Sequence, residues 1–97
     1  MARILIWSIS EITVFKWGLE EMLYTCPVCC YPGLERQPRQ FLICPSCGTE
    51  FGYDDATLTH EVLRYRWIQN GAAWHSRAIS KPHGWDPWVQ LALGGRL

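Results

Sequence analysis

Hydrophobic and polar positions along the chain change period three times, and each change marks a different kind of structure. Over residues 1–21, Leu5, Ile9, Ile12, Phe15 and Leu19 recur at helical spacing, continued by Met22. The β-branched run Ile12-Thr13-Val14-Phe15 instead favours a strand, and the pattern does not choose between the two. From Tyr24 to Tyr53 no helical period survives. Phe41-Leu42-Ile43 predicts a short strand, and Gln37-Pro38-Arg39 predicts a turn. A helical period returns with Leu58, Val62 and Tyr65, flanked by Leu63 and Trp67, and runs to about Asn70, where Gly71 is a natural stop. Residues 72–97 are rich in Pro and Gly, with one short helix predicted from Asp86 or Pro87 to Leu93.

The segment without a period is where the cysteines lie. Cys26-Pro27-Val28-Cys29 and Cys44-Pro45-Ser46-Cys47 form two C-x2-C hooks separated by fourteen residues, and they align as an internal repeat at an offset of eighteen. Proline inside each hook presets φ and removes an amide that would otherwise need a partner. Two hooks at this distance can close on one tetrahedral ion through four soft thiolates, so Cys26, Cys29, Cys44 and Cys47 are the expected metal ligands. Residues after the second cysteine of each hook are expected to donate backbone amides to the thiolates. The plan is that of a zinc ribbon, two knuckles on short β-hairpins.

Ninety-seven residues make one small domain with a modest core, and a structural zinc ion is the kind of staple such a chain needs. Five cysteines is an odd number, and tight regular hooks disfavour a disulfide framework. Reduced thiols imply a cytoplasmic protein. The apolar run Ile4–Trp7 is broken by Ser8, Ser10 and Glu11 long before the roughly 20 residues of a membrane span, and no small-residue cleavage site follows. Formal charge is zero, but four thiolates on a divalent ion add a charge of minus two. Residues 22–56 hold Arg36 and Arg39 against Glu35, Glu50, Asp54 and Asp55, while residues 57–97 hold five Arg or Lys against Glu61 and Asp86. Nucleic-acid binding needs clustered basic charge on one face, so a nucleic-acid partner is not expected.

Four protein ligands leave no open coordination position, which argues against catalytic zinc. Ligand type alone does not separate zinc from iron. Zinc is the first expectation, and iron in an electron-transfer site is the alternative. Thiol–disulfide chemistry at either C-x-x-C fits poorly, because no helix follows a hook to depress a thiol pKa. Cys30 stands where the repeat has Gly48, a position that often needs positive φ, and reads as a packed thiol under mild strain. Asp54, Asp55 and Thr57 read as capping and first-turn residues of the helix. His60, His75 and His83 lack metal spacing and are read as surface or satisfied core residues. Trp67, Trp74, Trp85 and Trp88 are expected to cover Phe41, Ile43 and Phe51, with Trp85 and Trp88 the candidates for display to a partner.

From Cys26-Pro27-Val28-Cys29 through Leu42-Ile43-Cys44-Pro45-Ser46-Cys47-Gly48 the chain resembles small bacterial cysteine-rich proteins of the CPCC type, which are short and zinc-ribbon-like. Glu50-Phe51-Gly52-Tyr53-Asp54-Asp55, Trp67-Ile68 with Gly71-Ala72, and Gly84-Trp85-Asp86-Pro87 are similar to members with a helical, tryptophan-rich tail. The likeness covers about residues 24–93. It departs where neither hook reads C-P-C-C and where Cys30 replaces glycine. It implies four cysteine ligands and a compact ribbon and transfers no activity. Tyr24-Thr25-Cys26 with Cys44-Pro45-Ser46-Cys47-Gly48 also looks like the rubredoxin plan.

The expectation is therefore one small α+β domain: an N-terminal extension at 1–21, a zinc ribbon at 22–56, and at 57–97 an amphipathic helix and aromatic-rich tail packed on the ribbon. Met22 is a third reading of the first segment, as the start of the domain's own chain. The expected role is a non-enzymatic, zinc-binding interaction or adaptor module with a protein partner and no membrane. The alternatives are a rubredoxin-like iron electron-transfer protein and, behind it, a nucleic-acid-binding zinc ribbon.

Overall fold

The computed structural model describes residues 23–97, so the expectations for residues 1–21 and for Met22 lie outside the described residues. The elements in chain order are two knuckles, a 3-10 turn at Asp54–Ala56, helix α1 at His60–Gln69 and helix α2 at Pro87–Leu93.

Each knuckle is closed by a single antiparallel bridge, Tyr24 with Leu34 and Ile43 with Glu50, and no longer strand forms among the described residues. Of the expected β-hairpins, these two bridges are what the described residues show. Gln40 and Phe41 both adopt positive φ, 53° and 64°, which breaks the strand expected at Phe41–Ile43 into a left-handed corner. The turn at Pro38 is present, closed by the Arg39 amide on the Gln37 carbonyl at 2.8 Å.

The internal repeat is carried into the backbone. Cys30 N donates to Cys26 O at 2.9 Å and Gly48 N to Cys44 O at 2.8 Å; Cys26 N donates to Tyr31 O and Cys44 N to Thr49 O. Each pair of bonds is related by the same eighteen-residue offset. The left-handed position is conserved in conformation, with φ of 72° at Cys30 and 81° at Gly48.

Helix α1 begins later than the sequence pattern suggests. Its N-cap is Thr59, whose Oγ1 accepts the Val62 amide at 3.1 Å, and not Thr57. Asp54 and Asp55 instead fasten the second knuckle: Asp54 Oδ2 accepts from Glu50 N, and Asp55 Oδ1 accepts from Gly52 N. The helix ends as expected. Gly71 at φ 94° donates to Ile68 O and Ala72 N reaches back to Trp67 O, the two bonds of a Schellman stop. The face of α1 that packs inward is that of Leu63, Arg64, Trp67 and Ile68, while Val62 and Tyr65 are exposed. Of the expected face, Leu63 and Trp67 turn inward while Val62 and Tyr65 do not, and Arg64 joins the inward side by holding knuckle carbonyls.

Helix α2 starts at Pro87 behind an Asp86 cap that accepts from Trp88 N and Val89 N, and a second Schellman stop closes it, with Arg96 N on Leu91 O and Gly95 N on Ala92 O. The core contains Cys26, Val28, Cys29, Leu34, Cys44, Phe51, Trp67, Ala72 and Leu91. Tyr31, Trp74, Trp85 and Trp67 form a chain of ring contacts with centroids 5.3 to 6.5 Å apart. This chain lies against the first knuckle. It does not cover Phe41 or Ile43, which are 63% and 49% exposed, and Phe51 is sealed with the His60 ring against it.

Candidate metal centre

The fold brings Cys26, Cys29, Cys44 and Cys47 together, with all four Sγ atoms within 4.8 Å of one another. Cys26 Sγ lies 3.8 Å from Cys47 Sγ, and Cys29 Sγ lies 3.7 Å from Cys44 Sγ, each contact running between knuckles. A tetrahedron with metal–sulfur bonds of about 2.3 Å has sulfur–sulfur edges of about 3.8 Å, so these two inter-knuckle edges match those of a tetrahedral four-thiolate site. Iron–thiolate bonds are of similar length, and these spacings suit either metal. Cys30 is not in the cluster. Its side chain is buried against Gly94 at the end of α2. His60, His75 and His83 are also outside it, as their spacing suggested.

The amides that reach the sulfurs differ from the expectation. Cys26 Sγ accepts from Val28 N at 3.4 Å and Cys29 N at 3.5 Å, both inside the first hook and not beyond it. In the second hook, Thr49 Oγ1 lies 3.3 Å from Cys47 Sγ, where its hydroxyl can donate to a thiolate. These contacts spread negative charge away from sulfur.

Knuckle carbonyls turn outward and need partners, and the helical half of the chain supplies them. Arg64 donates from Nε to Val28 O at 2.7 Å and from its guanidinium to Pro27 O at 2.8 Å. The guanidinium thereby brings positive charge to the first knuckle. His75 N and Ser76 N donate to Pro45 O, and the His75 ring sits over Gly48, where an added Cβ would lie 2.6 Å from Nδ1. Gln90 joins everything: its Nε2 donates to Cys29 O and to the fully buried Ser46 Oγ, and its Oε1 accepts from Trp85 Nε1. Sequence reasoning found none of Thr49, Arg64, His75 or Gln90 as supports of the centre. Thr49, two residues beyond a ligand, carried a local signal; the other three act from a distance.

Four thiols this close resist ionising together. Hydrogen bonds from Cys26, Cys29 and Cys44 hold the Cys47 thiol far below the usual thiol range. Cys29 is pushed up by its bond with Cys26 and by burial. Cys26 and Cys44 are lowered by the bonds with Cys29 and Cys26 respectively, but their other sulfur contacts and burial outweigh this and push them up. One thiolate forms readily, and the remaining three need a cation to compensate them.

The chain is similar to an uncharacterised protein, YoaQ, of Bacillus subtilis (strain 168). The two are 43% identical over an alignment of 73 residues, covering 53% of this chain and 62% of that protein. The chain thus spans less than two thirds of the relative's length. No family model matches it, and no solved structure matches it. Among the described residues, no helix is long and apolar enough to cross a membrane.

Proposed function

We propose that the protein is a zinc-binding interaction module of the zinc-ribbon type, akin to the CPCC-type proteins, in which one zinc ion held by Cys26, Cys29, Cys44 and Cys47 organises the fold and performs no reaction. The observation that carries this reading is the inter-knuckle sulfur spacing of 3.8 and 3.7 Å, matched to a tetrahedral four-thiolate ion. Four protein ligands fill that coordination sphere and leave no place for a reacting water. What the ion organises is a surface. The exposed Val89 and Leu93 of α2 line an apolar groove of about 500 Å3 bounded by Tyr31, Pro32 and Trp85, and this is the face offered to a protein partner in the cytoplasm.

Metal analysis of the full chain purified from its native host tests the reading. One zinc per chain and a colourless protein is the expected result. A red protein with iron in stoichiometric amount would transfer the assignment to electron transfer. For the surface, Leu93→Ala is expected to leave metal content unchanged and to weaken recovery of the native partner; equal recovery would count against that face.

A further inference from the structure

The four thiols differ in one respect that bears on how the centre is unmade. Cys26, Cys29 and Cys44 are fully enclosed, whereas Cys47 is partly exposed. Cys47 also lines a solvent-open hollow of about 460 Å3, together with Thr49, Arg66, Asn70, Trp74 and His75. Among the described residues, Cys47 is therefore the ligand cysteine that borders this hollow, while the other three are enclosed. Directly behind it, at 3.8 Å, stands Cys26 Sγ of the other knuckle. A partly exposed cysteine with a second sulfur 3.8 Å away to resolve it is the arrangement that favours reversible oxidation.

We propose that Cys47 is an oxidation site, at which hydrogen peroxide entering the hollow converts the centre to a Cys26–Cys47 disulfide and releases the metal. The inference rests on the metal-centre reading above. In the first step the Cys47 thiolate attacks one peroxide oxygen; the O–O bond breaks, an S–O bond forms, and the departing oxygen leaves as water after taking up a proton. In the second step the Cys26 thiolate attacks the Cys47 sulfenic sulfur; an S–S bond forms, the S–O bond breaks, and hydroxide leaves as water with a second proton. Two thiolates are oxidised by two electrons in total, and one peroxide is reduced to two waters. The ion, left with Cys29 and Cys44 alone, dissociates. Because the bond joins the two knuckles and does not close one hook on itself, reduction can restore the original donor set.

Cys30 is the thiol that would confuse a test, although it is buried and faces the groove beside α2 and not this hollow. The experiment therefore uses the zinc-loaded full chain and its Cys30→Gly variant in parallel. Each is treated with one equivalent of hydrogen peroxide, with and without dimedone to trap sulfenic acid. Released zinc is followed with a chromogenic chelator, and modified sulfurs are located by peptide mass mapping. The expected result in both proteins is a dimedone adduct on Cys47, one zinc released per Cys26–Cys47 disulfide formed, and recovery of zinc binding after dithiothreitol. A first adduct on Cys26, Cys29 or Cys44, a disulfide within one hook, or retention of zinc after the peroxide is consumed would overturn the proposal while leaving the zinc site standing. A chain that takes up no zinc would instead remove the metal-centre reading, and this inference with it.

Discussion

Gln90→Leu isolates the polar junction on which the two knuckles and the tail converge. Leucine has nearly the volume of glutamine, so the substitution removes hydrogen bonds without opening much of a cavity. Three bonds disappear: Nε2 to Cys29 O at 2.9 Å, Nε2 to Ser46 Oγ at 3.1 Å, and Trp85 Nε1 to Oε1 at 2.8 Å. The Trp85 indole is half-buried and recovers water. Cys29 and Ser46 are fully buried, and their carbonyl and hydroxyl are left without this partner. At about 1–3 kcal/mol for each unsatisfied buried group, the expected loss is about 3 kcal/mol. With a urea m-value of about 1.5 kcal/mol per M, the midpoint should fall by about 2 M. The assay is urea unfolding of the zinc-loaded protein at one fixed free-zinc concentration, followed by tryptophan fluorescence, with zinc content measured before unfolding. Zinc content should stay at one per chain. A midpoint shift below about 0.5 M would refute the argument, since it would mean that Gln90 contributes no more than an ordinary surface residue.

Other expectations follow from the same contacts. Arg64→Met keeps the alkyl stem but removes both guanidinium bonds to the first knuckle, so it should cost about 2 kcal/mol in the same urea assay; an unchanged midpoint would show that water replaces those bonds fully. The two left-handed knuckle positions share one preference, for glycine, so substitutions in opposite directions should differ in effect. Gly48→Ala meets both positive φ and the His75 ring and should destabilise by about 2 kcal/mol, whereas Cys30→Gly relieves about 1 kcal/mol of backbone strain against some lost packing, leaving thermal stability nearly level and zinc stoichiometry unchanged. Zinc binding at pH 7 should release about three to four protons, because Cys26, Cys29 and Cys44 are held above the usual thiol range without the ion. Protons compete with the metal, so affinity rises with pH and is lost on acidification. Calorimetry in buffers of different ionisation enthalpy counts those protons, and a count near zero would contradict the site.

The parts of this architecture that were legible in the sequence are those written in local chemistry. Cysteine spacing located the four sulfurs, and Gly71, Asp86 and Pro87 placed helix ends by capping rules. Cys30 was readable as a left-handed residue only because its repeat partner is glycine. What failed was decided at long range. Nothing near Phe41 announces that Gln40 and Phe41 turn left-handed, and nothing within α1 reveals that Arg64, a charged residue, faces inward to hold carbonyls 36 and 37 positions earlier. A hydrophobic-period argument assigns such a residue to solvent. Gln90 was equally silent, because its role exists only once three distant segments meet. The tryptophans were right in kind and wrong in place: the ring chain is real, but it covers Tyr31 and not Phe41 and Ile43.

The central claim is that the four-cysteine centre, filled by one metal ion, holds this fold together. The most direct test is near-ultraviolet circular dichroism of the tryptophans, recorded as a strong chelator removes the ion under reducing conditions. Metal binding coupled to folding at a structural zinc site is worth about 10–16 kcal/mol, more than a small domain can replace from its own core. The account predicts that the near-ultraviolet signal disappears together with the helical far-ultraviolet signal, and that both return with one equivalent of zinc. A metal-free protein that keeps its native near-ultraviolet spectrum would contradict it.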